Sequence, residues 1–255
     1  MTNKKVAVIT GASSGIGAAS AVRLAKDGFN LVIAARRQNK LEEVAEKCRA
    51  EGAEVLVVRA DMTEEADVRN VFAKAIEKFG TIDFLFSNQG VLQKPTHFEN
   101  MTLEHYDRVI GNVKATFLAL TIATNVFKDL GKPGNILVTG SSSGCRTEAG
   151  FGIYSATKAA TIHLVKDAAI ECGKLYNIRY NCVCPGGFYT EMTDWSGKFF
   201  EEAGEVYLRR VQPLCLPDKI MGTMDEIVGV VSFMASDESS YMQGAVINVD
   251  AGLTL

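Results

Sequence analysis

Val6-Ala7-Val8-Ile9-Thr10-Gly11-Ala12-Ser13-Ser14-Gly15-Ile16-Gly17 decides how the rest of this chain is read. Its first five residues form a short apolar run, continuous rather than alternating in polarity, as in a strand covered on both faces of a parallel sheet. Three glycines at GxxxGxG spacing follow, and a helix opens at Gly15. Glycines allow a tight turn and close backbone approach, and the free N–H groups at a helix start favour an anion such as a diphosphate. Three glycines also occur in plain strand-to-helix turns. What points to a dinucleotide is the position of this set, after the first strand of a crossover series.

Working outward, apolar runs at 6–10, 31–35, 55–59, 84–87, 135–140, 179–184 and 245–249 alternate with helix-like segments at 15–27, 40–51, 64–79, 103–130, 154–175 and 224–235. The alternation predicts an α/β chain, a single-domain Rossmann-type doubly wound parallel sheet of about seven strands with helices on both faces. No linker, low-complexity tract or repeat divides residues 1–255. The stretch 190–222 breaks the rhythm. It has no strand pattern but carries Met192, Trp195, Phe199, Phe200, Tyr207 and Leu214, and is expected to form a helical insert covering the substrate.

With 27 basic against 30 acidic side chains the formal net charge is −3, which supplies no global field for nucleic acid or an anionic membrane. No segment approaches the ~18 uninterrupted apolar residues of a membrane span, and the first apolar run is too short for a signal sequence. Cys48, Cys145, Cys172, Cys182, Cys184 and Cys215 form no CxxC pair and have no histidine at zinc spacing. The expectation is a cytoplasmic protein with mostly reduced core thiols, no metal, and neither nucleic-acid nor membrane partners.

Dinucleotide folds usually place an acid at the end of the second strand to bind the adenosine ribose. Here that position is Ala35, followed by Arg36 and Arg37, with Ser13 in the facing glycine turn. A 2′-phosphate would meet two guanidiniums and a hydroxyl, whereas a free ribose would find no carboxylate, so NADP is expected over NAD. Paired arginines are otherwise common in solvated loops, but these two precede a helix start, where the macrodipole disfavours cations.

Tyr154 and Lys158 stand four residues apart and project from nearly the same face of a helix. A phenol with a pKa of about 10 is a poor base at neutral pH, and a neighbouring cation favours the phenolate. Upstream, Thr139-Gly140-Ser141-Ser142-Ser143-Gly144 ends a buried strand. A hydroxyl at that carboxyl edge can polarise a substrate carbonyl; strand alternation favours Ser141, with Ser142 a rival by one residue. Asn112, in the long helix from Leu103, reads by itself as an ordinary polar position.

Taken together, the glycine turn, the serine, YxxxK, Pro185-Gly186 and the ending from Phe233 to Gly252 resemble the short-chain dehydrogenase/reductase family over nearly the whole chain. The resemblance implies that Asn112, Ser141, Tyr154 and Lys158 are a catalytic tetrad, with Asn112 distorting its helix and holding a water that links the lysine to solvent. It also implies nucleotide contacts from Gly11, Ser13, Ser14, Gly15, Ile16 and Gly17, from Arg36 and Arg37, and from Asp61 and Met62 beside the adenine. Asn88 and Gly90, in a turn like the family's NAG turn, are further implied cofactor contacts, and Pro185, Gly186 and Thr190 resemble the segment that covers the nicotinamide. Ser87, Gln89 and Ala251 depart from the usual residues of those turns. A homotetramer or homodimer, formed through the helices at 103–130 and 154–175, is likewise implied.

The expected reaction is the interconversion of a secondary alcohol and a ketone by hydride transfer, with Tyr154 as acid or base. Phe151, Phe188, Tyr189, Met192, Trp195, Phe199 and Phe200 point to a large apolar wall and a bulky substrate such as a hydroxysteroid or bile acid, unless the insert simply covers the core. Gln89 lies at the pocket floor, and Glu148 and Arg146 can meet a polar substrate group. A fatty-acid-type 3-oxoacyl reductase is the alternative, with Lys198, Arg209 and Arg210 a thin basic patch for a carrier protein. A non-catalytic dinucleotide sensor or scaffold is the alternative of another class. His97, His105 and His163 accompany no nucleophile motif and are read as helix or surface positions.

Overall fold

The computed structural model describes residues 4–92, 94–192, 216 and 221–255. Its strands are β1 (Val6–Thr10), β2 (Asn30–Ala35), β3 (Val55–Arg59), β4 (Phe84–Ser87), β5 (Gly134–Thr139), β6 (Ile178–Pro185) and β7 (Val246–Val249). Its helices are α1 (Gly15–Lys26), α2 (Gln38–Ala50), α3 (Glu65–Phe79), α4 (Leu103–Leu130), α5 (Ser142–Cys145), α6 (Gly152–Tyr176) and α7 (Met224–Ala235). The strands form one parallel sheet in the order β3-β2-β1-β4-β5-β6-β7.

Alternating side chains feed two cores. Val6 and Val8 of β1 join Val32, Leu85, Phe72, Phe127 and Tyr180 under α3, α4 and α6. Ala7 and Ile9 join Ile33, Leu24, Leu41, Phe86 and Ile227 under α1, α2 and α7. A sheet with helices on both faces is the arrangement that buries such two-sided strands. By length and composition α4 could also cross a membrane, a feature hidden from the run-length criterion because polar residues interrupt it. Its buried side chains Ala119, Ile122 and Phe127 lie in the first core.

Helix ends follow local chemistry. α3 stops at Gly80 (φ 71) and α4 at Gly131 (φ 61), both in the left-handed region that glycine adopts freely. At the start of α4 the His105 ring bonds the Thr102 N–H at 3.1 Å, so this histidine is a helix cap.

Several boundaries shift from the expected ones, and α5 was not foreseen. β5 ends at Thr139, one residue short of its expected end, because Ser141 caps α5: its Oγ accepts from the Ser143 N–H at 3.2 Å. α2 starts at Gln38 with Arg37 as its cap residue, and α6 starts at Gly152, two residues before Tyr154. Of the expected insert at 190–222, most lies outside the described residues, including Trp195, Phe199, Phe200, Tyr207 and Leu214.

α5 packs directly on α6 at Gly144, where a Cβ would lie 2.7 Å from the Lys158 carbonyl carbon and 2.9 Å from its oxygen. Gly144→Ala is therefore expected to cost about 1–3 kcal/mol as an overpacking change. In a domain of this size that lowers the melting temperature by roughly 2–4 °C per kcal/mol. Calorimetry that finds an unchanged transition would show that the two helices are not in contact.

Candidate active site

The chain runs from β1 outward to β3, then returns to β4 on the other side of β1. That reversal opens a crevice at the carboxyl ends of β1 and β4, where open α/β sheets bind ligands. A cavity of about 500 Å³ occupies it, running from Arg36, Arg37 and Asp61 past the glycine turn to Ser141, Tyr154 and Lys158. Pockets for small molecules and cofactors span about 300–1,000 Å³, so the space suffices for an extended ligand.

Glycines are required on its floor. A Cβ on Gly17 would lie 2.4 Å from the Gly11 carbonyl oxygen, and one on Gly11 (φ 64) would lie 2.8 Å from the Gln89 backbone. The turn is thus pressed onto the segment after β4. Asn88 ties three strand ends together: its N–H donates to Thr10 Oγ1 at 3.2 Å, and its Oδ1 accepts from Thr139 Oγ1 at 2.9 Å. α1 has no acidic residue in its first turn, so its free N–H groups face the cavity without a competing carboxylate of their own helix.

Tyr154 enters from the first turn of α6, and Lys158 one turn later shares its face, with Nζ 5.9 Å from the phenol ring centroid. Both are buried. Lys158 Nζ donates to the Thr139 carbonyl at 2.8 Å, and burial pulls its pKa down to about 8. Burial pushes the Tyr154 phenol up to about 12; a hydrogen bond with Ser141 works against that rise, and the charge of Glu148 adds to it. Phe151 packs edge-on to Tyr154 at 6.5 Å between ring centroids.

A family model described as enoyl-(acyl carrier protein) reductase matches residues 11–254. Levodione reductase of Leifsonia aquatica is 33% identical over 256 residues, covering 97% of this chain and 93% of that protein. The crystal structure of levodione reductase superposes with a TM-score of 0.90 at 32% identity, over 98% of this chain and 97% of the other. This chain belongs to the short-chain dehydrogenase/reductase family. Consistent with that, a 3-ketoacyl-(acyl-carrier-protein) reductase from Brucella melitensis, complexed with NADH, superposes at TM-score 0.85 and 30% identity over 98% of both chains. A probable tetrahydroxynaphthalene reductase of Zymoseptoria tritici is 32% identical, covering 96% of this chain and 93% of that protein. As a short-chain dehydrogenase/reductase it is an NAD(P)-dependent oxidoreductase acting on CH–OH groups.

In this short-chain dehydrogenase/reductase the cavity brings together nearly all the residues singled out from sequence: Gly11, Ser13, Ser14, Gly15, Ile16, Arg36, Arg37, Asp61, Met62, Asn88, Gln89, Gly90, Asn112, Ser141, Glu148, Phe151, Tyr154, Lys158, Pro185, Gly186, Phe188, Thr190 and Met192 line it. Gly17 lies beneath the turn, and Trp195 falls outside the described residues. The structure gives the two rival serines different partners: Ser141 bonds Tyr154, while Ser142 and Ser143 bond the Glu148 carboxyl. Strand alternation played no part, since the strand ends before both.

Two expectations need correction, the proton affinity of Tyr154 and the carboxylates near Arg36 and Arg37. Tyr154 does not have a lowered pKa, because burial, the largest effect on it, disfavours the phenolate. α4 is helical throughout Leu103–Leu130, and both ends of the Asn112 amide are taken by Val91: the Val91 N–H donates to Oδ1, and Nδ2 donates to the Val91 carbonyl, each at 2.9 Å. The end of the cleft where a free ribose was expected to find no carboxylate has two. Arg36 Nη1 is 3.9 Å from Asp61 Oδ2 and Arg37 Nη1 is 2.7 Å from Glu191 Oε2, both acids arriving from segments distant in sequence. Among the described cysteines Cys48, Cys182 and Cys184 are buried, Cys172 is half-buried and Cys145 is exposed, and Cys215 falls outside the described residues.

Asp61 itself is held below the usual carboxylate range. Burial works to raise it, but bonds from the Thr63 N–H (3.0 Å) and Oγ1 (2.8 Å), with the charges of Arg36 and Lys114, outweigh that. Sequence reasoning missed the Thr139 and Val91 main-chain groups and the Thr10 hydroxyl. The two backbone groups carry no side-chain signature, and Thr10 could have been noticed as the one polar residue of an otherwise apolar strand.

Lys158→Met tests the burial of the ammonium. Each pH unit of lowering corresponds to about 1.4 kcal/mol, less the hydrogen bond to Thr139, so the variant is expected to be about 1–2 kcal/mol more stable than wild type at pH 7. The unfolded chain keeps this proton up to about 10.5 and the folded one only up to about 8, so wild type gains stability as pH rises through that window. The advantage of the variant should therefore shrink between pH 8 and 10. Denaturant melts showing a variant less stable at pH 7, or a difference independent of pH, contradict this account.

Proposed function

We propose that this protein is an NADP(H)-dependent oxidoreductase that interconverts a secondary alcohol and a ketone on a bulky, largely apolar substrate of the hydroxysteroid or bile-acid type. The observation that carries the reading is the grouping of Ser141, Tyr154 and Lys158 in the same cavity as the glycine turn. The nicotinamide dinucleotide, when bound, supplies or accepts the hydride and, oxidised, adds a positive charge. Gly11 to Gly15 and the start of α1 would hold its diphosphate, Arg36, Arg37 and Ser13 its 2′-phosphate, and Pro185, Gly186 and Thr190 its nicotinamide.

In reduction the Tyr154 hydroxyl delivers the proton to the carbonyl oxygen. Its raised pKa keeps it protonated at neutral pH, so the acid is ready for that direction. Ser141, already bonded to the phenol, donates to the same oxygen as negative charge develops on it. In oxidation Tyr154 must first lose its proton, and the nearby ammonium of Lys158 favours that loss. Asn112 acts at one remove, fixing Val91 and with it the loop after β4.

Val91, Leu92, Phe151, Phe188, Met192 and Met221 give the cavity an apolar wall beyond Tyr154, with Gln89 and Glu148 as polar groups. The fused rings named in tetrahydroxynaphthalene reductase agree with a bulky cyclic substrate. Exposed Tyr106 and Phe117 on α4, and Ile170 and Leu175 on α6, support a homodimer or homotetramer built on those helices. The cytoplasm remains the proposed location.

Tyr154→Phe is expected to lower kcat by about 10²–10⁴ while retaining nucleotide binding, measured with a ketone and alcohol panel that includes steroids and bile acids. Near-normal turnover would remove the phenol from the chemistry. NADPH that binds but is never oxidised by any ketone would point to the sensor reading instead. Arg36→Ala should raise the KM for NADPH roughly tenfold and leave that for NADH within about twofold; an unchanged NADPH value ends the case for Arg36.

A further inference from the structure

The arginine and serines at the adenosine end of the cleft already hold an anion, and it belongs to the protein. Glu191, in the segment after β6, places Oε2 at 2.7 Å from Arg37 Nη1. The same guanidinium donates from Nε and Nη2 to Ser13 Oγ at 3.3 and 3.2 Å, and from Nη2 to Ser14 Oγ at 2.5 Å. Ser14 also bonds the Glu191 carboxylate, and Lys40 adds its charge nearby. The preceding residue, Thr190, is seated against the glycine turn, where a Cβ on Gly15 would lie 3.3 Å from Thr190 Cγ2. The Arg37 hydrogen bond holds the Glu191 carboxyl below its ordinary range, so the group is ionised at neutral pH.

We propose that Glu191 is an internal competitor for the 2′-phosphate of the nucleotide, and that its displacement from Arg37 sets how strongly the protein discriminates NADP(H) from NAD(H). The proposal rests on the NADP(H) reading above. Arg37 and Ser13, together with Arg36, are the groups left for a 2′-phosphate once the diphosphate is assigned to the start of α1, and the Arg37 guanidinium cannot serve a carboxylate and a phosphate dianion in the same geometry. The two partners are about half exposed, 46% for the Arg37 side chain and 56% for Glu191, so the pair exchanges readily with solvent and with ligand.

The test is calorimetric titration of the full chain with 2′,5′-ADP and 5′-ADP, in wild type, Glu191→Gln and Glu191→Ala. Gln removes the charge and keeps a hydrogen-bond acceptor; Ala removes both. Both variants are expected to bind 2′,5′-ADP roughly 2- to 5-fold more tightly, with 5′-ADP changed by less than about 2-fold. The gain should fade between about 0.05 and 0.5 M salt. Equal tightening of both ligands overturns the assignment to the 2′-phosphate. A wild type that prefers 2′,5′-ADP, with variants that gain nothing, overturns the competitor role alone. If neither wild type nor variants prefer 2′,5′-ADP, the NADP(H) reading fails and takes the proposal with it.

Discussion

An ammonium group in a protein interior needs a hydrogen-bonding partner and a reason to be there. Lys158 donates to the carbonyl of Thr139 at the last position of β5, and that bond fixes where α6 lies against the sheet. Close packing follows from it. Gly144 brings α5 onto the Lys158 backbone, and a Cβ on Gly90 would stand 3.6 Å from both Lys158 Nζ and Asn112 Oδ1. Burial then moves two proton affinities in opposite directions, lowering that of Lys158 and raising that of Tyr154. A core built for stability alone would place an apolar residue at position 158.

Thr139 also joins the two ends of the cleft. Its carbonyl accepts from Lys158, while its hydroxyl donates to Asn88, whose own N–H reaches Thr10 just before the glycine turn. The glycine turn and the Tyr154–Lys158 pair therefore share one short chain of hydrogen bonds across β1, β4 and β5. The crevice at the sheet's reversal runs from one to the other without interruption. Misplacing any of the three strand ends would disturb both ends of the crevice together.

Much of this was legible in the chain. Strands buried on two faces announce themselves as unbroken apolar runs, and the glycine turn and the Tyr154–Lys158 spacing encode local geometry that survives folding unchanged. What escaped was long-range. Glu191 and Asp61 reach the arginines from 154 and 25 positions away along the chain, so the electrostatics of that end could not be read from Arg36 and Arg37 alone. The direction of the Tyr154 shift also depended on burial, the largest effect on it, which spacing along the helix does not reveal. Short α5 was hidden because four residues give no periodicity, only a serine cap.

Glu148 shows how a loop side chain couples to groups fixed by the sheet and α6. It sits in the loop between Ser141 and Tyr154, its carboxyl held by Ser143 and Ser142, and burial raises its pKa. Its charge raises the proton affinity of Tyr154 in turn, so a loop residue acts on a phenol held by α6. The segment is held at several points: the Gly150 carbonyl accepts from the Thr96 N–H at 3.0 Å, Cys145 Sγ donates to Asn248 Oδ1 of β7 at 3.3 Å, and Arg146 Nη1 donates to the Leu253 carbonyl at 2.6 Å. Glu148 thus links a loop, which is free to vary in composition within a fold, to groups whose positions are fixed by strand ends and α6.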